Sequence, residues 1–247
     1  MFSKEFIDLT KHAHSKSQEK FSVNQAIEPN PYFIGFGNPN SEILLVGQEM
    51  AIDPEKSPVT LKMESHGNPE QWNEIIENNI SDINYSFNGE NGFKNPRKPY
   101  DTKPTETWRS YGRIVEKITC KKLNKNQEFF EHSFITEINT VVSKTQKGYS
   151  PDKERNFILH HSFFKNFPIT ILATGHYLKM EEIENIFDVK YSKVDSDSKN
   201  YLKFAVYRSA DKKRILINTR QMSGFGRHKL DDKDVDVYFD KISDKVK

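Results

Sequence analysis

Apolar positions follow two rhythms along the chain. Four short runs are almost continuously apolar and end at polar or glycine residues. They are "EILLVG" (42–47), "SFITEIN" (133–139), "ITILATG" (169–175) and "RILINT" (214–219). Runs of this length, rich in β-branched residues, predict strands buried on both faces. Between them the spacing turns helical. "TETWRSYGRIVEKI" sets Trp108, Tyr111, Val115 and Ile118 on one face, with Thr105 or Thr107 as cap. "DKERNFILHHSFFKNF" does the same with Phe157, Ile158, His161 and Phe164. "MEEIENIF" and "DKDVDVYFDKISDKV" predict two more helices, and the amphipathic start of the chain an N-terminal one. Strands alternating with helices predict an α/β fold: a three-layer α/β/α sandwich around a central, mostly parallel four-stranded sheet. "YLKFAVYRS" and "KRILINT" flank "ADK", the pattern of a hairpin that adds an antiparallel strand.

The 247 residues suit one domain, 1–247, with an N-terminal helical extension. A polar stretch at about 53–104, rich in Asn, Pro, Gly and Lys, reads as a long excursion holding one helix around "NPEQWNEIIENNI". Mean hydropathy is -0.78, so the surface is very polar. No run approaches the roughly 20 apolar residues of a membrane span, and no membrane partner is expected. The single cysteine, Cys120, excludes an internal disulfide framework and fits a reducing cytoplasm. A net charge of +2 requires any nucleic-acid contact to use a local basic face.

In parallel sheets ligands collect beyond the carboxyl ends of the strands. Glu49, Asn139, His176 and Arg220 each follow a predicted strand there. The bland readings are a helix cap or lysine partner for Glu49, a turn role for Asn139, and a cap or core place for His176. His160 and His161 are neighbours on a helical pattern, so they point to different sides, and no metal site is expected.

"GQEMAIDP", "INTVV", "TGHY" and "NTRQMSG" follow the four runs in order. This ordered set resembles the uracil-DNA glycosylase superfamily, over about Tyr32 to Phe225. The family's best-known branch has Gly-Gln-Asp-Pro-Tyr-His, Leu-Asn-Thr-Val-Leu-Thr, Gly-Ser-His and His-Pro-Ser-Pro-Leu-Ser at these places. The mismatch-specific branch ends in Asn-Pro-Ser-Gly-Leu-Ser. The resemblance implies a uracil-DNA glycosylase-like sandwich and a DNA glycosylase that hydrolyses the N-glycosidic bond of a damaged, mismatched or modified base, as in base excision and DNA repair. It implies no metal and no cofactor. Glu49 then orients water and balances positive charge on the sugar, and Asn218 faces the leaving base. Asn139 reads the flipped base, with Gln48 supporting it. Arg220 and Ser223 contact the strand, with backbone groups at Gly47, Gly175 and Gly224 and with His176, while Met222 is the apolar wedge. Tyr100, Phe93 and Phe36 are the candidates for stacking on the base. The partner is DNA, single-stranded or a duplex with a flipped base.

The motifs also depart from the family. Met50-Ala51-Ile52 replaces Pro-Tyr-His, which removes the tyrosine that excludes thymine. Arg220 and Gln221 reshape the last loop. The alternative function is a non-catalytic nucleic-acid or nucleotide-binding module on the same fold. A serine hydrolase of the α/β type is disfavoured, because Gly-x-Ser-x-Gly is absent.

Overall fold

The computed structural model describes residues 1–21, 30–49, 65–82, 85, 87, 95–98, 106–123, 128–140, 153–196, 202–222 and 231–247. It is an α/β protein built on a mixed sheet. The strands are β1 (Phe36–Gly37), β2 (Ile43–Glu49), β3 (Ser133–Asn139), β4 (Ile169–Leu172), β5 (Lys190–Ser196), β6 (Lys203–Arg208) and β7 (Ile215–Asn218). Their order is β1-β3-β2-β4-β7-β6-β5. The four predicted strands form its contiguous parallel block, β3-β2-β4-β7.

That block is apolar on both faces because both faces are covered. Leu44 and Val46 of β2 join one apolar cluster, and Ile43 and Leu45 join another. The first cluster takes Phe6, Leu9 and Ala13 from α1 (Lys4–Phe21) and Trp72 and Ile75 from α2 (Asn68–Glu77). It also takes Ile158 and Leu159 from α5 (Lys153–Leu159) and Ile183 and Ile186 from α6 (Met180–Phe187). The second takes Tyr111, Ile114 and Val115 from α3 (Glu106–Thr119), Phe129 and Phe130 from α4 (Phe129–His132), and Tyr238 and Phe239 from α7 (Asp232–Val246). Full burial of a Leu, Ile or Phe side chain is worth about 1.5–3 kcal/mol, so the two clusters hold the sheet from both sides.

Three expectations need correction. The sheet has seven strands among the described residues, not four with one addition. β6 is the expected antiparallel partner of β7, but β5 and the two-residue β1 extend the edges. β5, "KYSKVDS", carries no apolar run because it is an exposed edge; lysines on such an edge also discourage pairing with other chains. The helix expected through His160 and His161 ends at Leu159. His161 then adopts an extended backbone, and its Nδ1 accepts a hydrogen bond from the Phe163 N–H at 3.3 Å, capping a 3-10 turn over Ser162–Lys165. Thr107 lies inside α3 rather than capping it, and Thr105 lies outside the described residues.

The chain enters the sheet through a tight approach at Gly35. Its φ of +146° and the 2.2 Å between a notional Cβ and the Ile135 carbonyl oxygen leave room only for glycine. Asn68 fixes this turn from α2: its Oδ1 accepts from the Ile34 and Gly35 N–H groups, and its Nδ2 donates to the Gly35 carbonyl. Among the described residues, no helix is long and apolar enough to cross a membrane.

Candidate functional site

The carboxyl ends of β3, β2, β4 and β7 lie side by side along one rim. β2 runs through Glu49 instead of stopping short of it, and Glu49 is paired in register with Asn139, the last residue of β3. On the other side Leu172 is paired with Asn218, the last residue of β7. The two loops beyond them are joined: the Gly175 N–H donates to the Thr219 carbonyl at 2.8 Å, and the Thr219 N–H donates to the Leu172 carbonyl at 2.9 Å. β2 leads toward β3, whereas β4 leads toward β7 on the opposite side. The crevice between β2 and β4 is therefore a switch point of the sheet, the usual place for a ligand in this architecture.

Three side-chain amides meet at this rim. Gln48 donates its Nε2 to the Thr174 carbonyl at 2.9 Å. Asn218 donates its Nδ2 to the Gly175 carbonyl at 3.1 Å, and its Oδ1 lies 3.5 Å from the Thr174 hydroxyl. Asn139, almost fully buried, donates its Nδ2 to the Tyr177 hydroxyl at 3.1 Å. Gln48 and Asn218 thus bind successive carbonyls of one turn, the "TGHY" turn, where Gly175 has the left-handed φ of +61°. A ligand using these amides replaces hydrogen bonds within the protein.

The remaining predicted residues fall out differently. Arg220 is half-buried next to Gly175, and His176 is exposed. Met222 is fully buried in the cluster against α7. A side chain committed to that core is not available to enter a duplex, so the wedge role is withdrawn. Phe36 is likewise a core residue, packed edge-on against Phe33, and not a stacking platform. Tyr100, Phe93, Ser223, Gly224 and the side chain of Glu49 lie outside the described residues.

Several rim residues escaped the sequence reading. Glu137 is paired with Gly47 across β2 and β3, and its carboxyl lies over that glycine. A Cβ on residue 47 would sit 2.1 Å from Glu137 Oε2. The signal was present in an acid interrupting "SFITEIN" and a glycine inside "ILLVGQE", but nothing local linked the two. Tyr111, fully buried beneath, has its phenol pushed well above its ordinary range, first by burial and then by the Glu137 charge. Arg155 of α5 is fully buried and reaches the same strand. Its guanidinium donates to the Phe33 and Glu137 carbonyls and to the Thr136 hydroxyl at 3.0 Å, and lies 5.8 Å from the Phe33 ring centre. Behind β7, the Thr219 and Tyr238 hydroxyls share a 2.5 Å hydrogen bond, which ties the last rim loop to α7.

Among the described residues, no group of three or more His, Cys, Asp or Glu side chains is placed to hold a metal ion. Compared with models of known protein families and with curated proteins, the chain matches none.

Proposed function

We propose that this rim is the active site of a DNA glycosylase on a three-layer sandwich of the uracil-DNA glycosylase type. The observation that supports the reading is the register: the backbone of Glu49 lies beside Asn139, with Asn218 two strands away on the same rim. Cleavage of an N-glycosidic bond builds positive charge on the sugar, and a carboxylate beside it stabilises that charge. Glu49 supplies this carboxylate and orients the water. The water oxygen bonds to C1′, the bond from C1′ to the base nitrogen breaks, and a water proton ends on the departing base. Asn139, backed by the Tyr177 hydroxyl, meets the edge of the flipped base. Asn218 donates to the departing base once it leaves the Gly175 carbonyl. Arg220 and Ser223 hold the strand, and the backbone at Gly175, which lies beside that of Arg220, contributes to the grip. The one cysteine of the chain, Cys120, is a free thiol, which fits a cytoplasmic enzyme.

A second reading is favoured by one observation: both polar ends of the Asn218 amide already have partners in the fold. On that reading the rim is a nucleic-acid or nucleotide-binding module that cleaves nothing. The test is incubation with oligonucleotides carrying uracil, mismatched or modified bases, followed by assay of abasic sites. The glycosylase reading expects abasic product, lost by about a hundredfold or more in Glu49→Gln with DNA binding kept. Binding without product on every base favours the module. Neither binding nor product defeats both readings.

A further inference from the structure

The end of the sheet opposite the rim holds a cleft of its own. β3 runs from Ser133 to Asn139, so its two ends lie about 20 Å apart at about 3.3 Å per residue. Beside the Ser133 end, a cleft of about 360 Å³ opens between two walls. One wall carries Ser81 and Arg97, and the other carries Glu131 and His132 from the end of α4. The segment Gly37–Asn38 ties the walls together. The Gly37 N–H donates to the Pro96 carbonyl at 2.8 Å, next to Arg97. The Asn38 N–H donates to the Phe130 carbonyl at 2.8 Å, and the Asn38 Nδ2 donates to the Glu131 carbonyl at 2.9 Å. Main-chain groups therefore set the walls, and the charges on them are left over.

Arg97 spends one N–H on the fold, from Nη1 to the Ser81 carbonyl at 2.8 Å, and a guanidinium has five. Among the described residues, the side chains of Glu131 and His132 have no hydrogen-bond or ion-pair partner, and no ion pair joins Glu131 to Arg97 across the cleft. A lone anion on Arg97 would meet the charge of Glu131, and a lone cation on Glu131 would meet that of Arg97. A ligand carrying both charges meets neither penalty, because its carboxylate takes the planar fork and its ammonium takes the carboxylate of Glu131. His132, whose ring donates or accepts, stands beside that ammonium. Ligand sites span about 300–1,000 Å³, and this cleft falls at the small end.

We propose that this cleft binds a small zwitterion of the amino-acid type, with its carboxylate on Arg97 and its ammonium on Glu131. The site is separate from the rim and stands whether or not the rim cleaves DNA.

The test is an amide NMR titration of the full chain. The probes are glycine, β-alanine and γ-aminobutyrate, which hold the two charges at increasing separation, with acetate and methylammonium as half-ligands. At least one zwitterion is expected to bind saturably, about tenfold or more tighter than either half-ligand, with shifts centred on Gly37, Asn38, Glu131 and His132. Glu131→Gln and Arg97→Gln should each weaken that binding by about tenfold or more. Glu131 is exposed, so Glu131→Gln keeps the fold and decides alone if Arg97→Gln does not fold. Acetate or methylammonium binding as tightly as the zwitterions, saturable shifts from no probe, shifts centred elsewhere, or full affinity in Glu131→Gln each overturns the proposal.

Discussion

At the residue scale, the rim depends on a buried charge. Among the described residues, Arg155 is the largest charged side chain that is fully buried, and its partners include two main-chain carbonyls and a hydroxyl. Hydrogen bonds from a charged donor contribute about 1.5–3 kcal/mol each, and a buried acceptor left without its donor costs a comparable amount. Arg155→Met should therefore destabilise the protein by about 3 kcal/mol or more, read as a lower urea midpoint. Arg155→Lys should recover little, because an ammonium does not reproduce the planar fork that spans three acceptors. The sequence hid this role: an Arg in "DKERNFIL" reads as the solvent side of an amphipathic helix. Met222 failed in the opposite sense. An apolar residue in a polar loop motif reads as an exposed wedge, but here it turns inward under α7.

At the element scale, the short 3-10 turn after α5 is capped by a titratable side chain. His161 caps it and packs toward α1, where Asp8, His12 and Glu5 contribute to its field. Burial holds the His161 imidazole below its ordinary value of 6.5, with His12 acting in the same direction and Asp8 opposing. His12 is likewise depressed, first by burial and then by Lys16. The unfolded chain thus binds protons more readily than the folded one. The stability these residues contribute is complete above pH 6.5 and is lost as pH falls below it toward the folded values. Thermal unfolding measured between about pH 7.5 and pH 5.5 should show this decline. His161→Asn keeps a side-chain acceptor for the turn without titrating, and should flatten the decline. Element positions were legible because period and length are local: α6, α7 and β3 match their predicted spans. The break at His161 was not legible, since apolar spacing continues through it.

At the scale of the whole molecule, charge is nearly balanced, at +2. The proposed binding to DNA rests on a few phosphate contacts around Arg220 and the backbone of the rim. For about two to three phosphates, affinity for a single strand should fall about tenfold between about 50 and 200 mM salt. A fluorescence-anisotropy titration measures this directly. A much steeper slope would point to a broad basic surface, and a flat one would remove the phosphate contacts from the proposal.

The alternation of strand and helix, the four parallel strands and the placement of Glu49, Asn139 and Asn218 at strand ends were written in the chain itself. Hydrophobic period reports which residues are buried in their own element, and strand ends follow from it. The order of the strands was not written there, nor was the pairing of Glu137 with Gly47, the partners of the three amides or the burial of Arg155 and Met222. Each of these is a contact between segments distant in sequence. It exists only once the sheet has chosen its neighbours and the helices have closed over both faces, so no local pattern carries it.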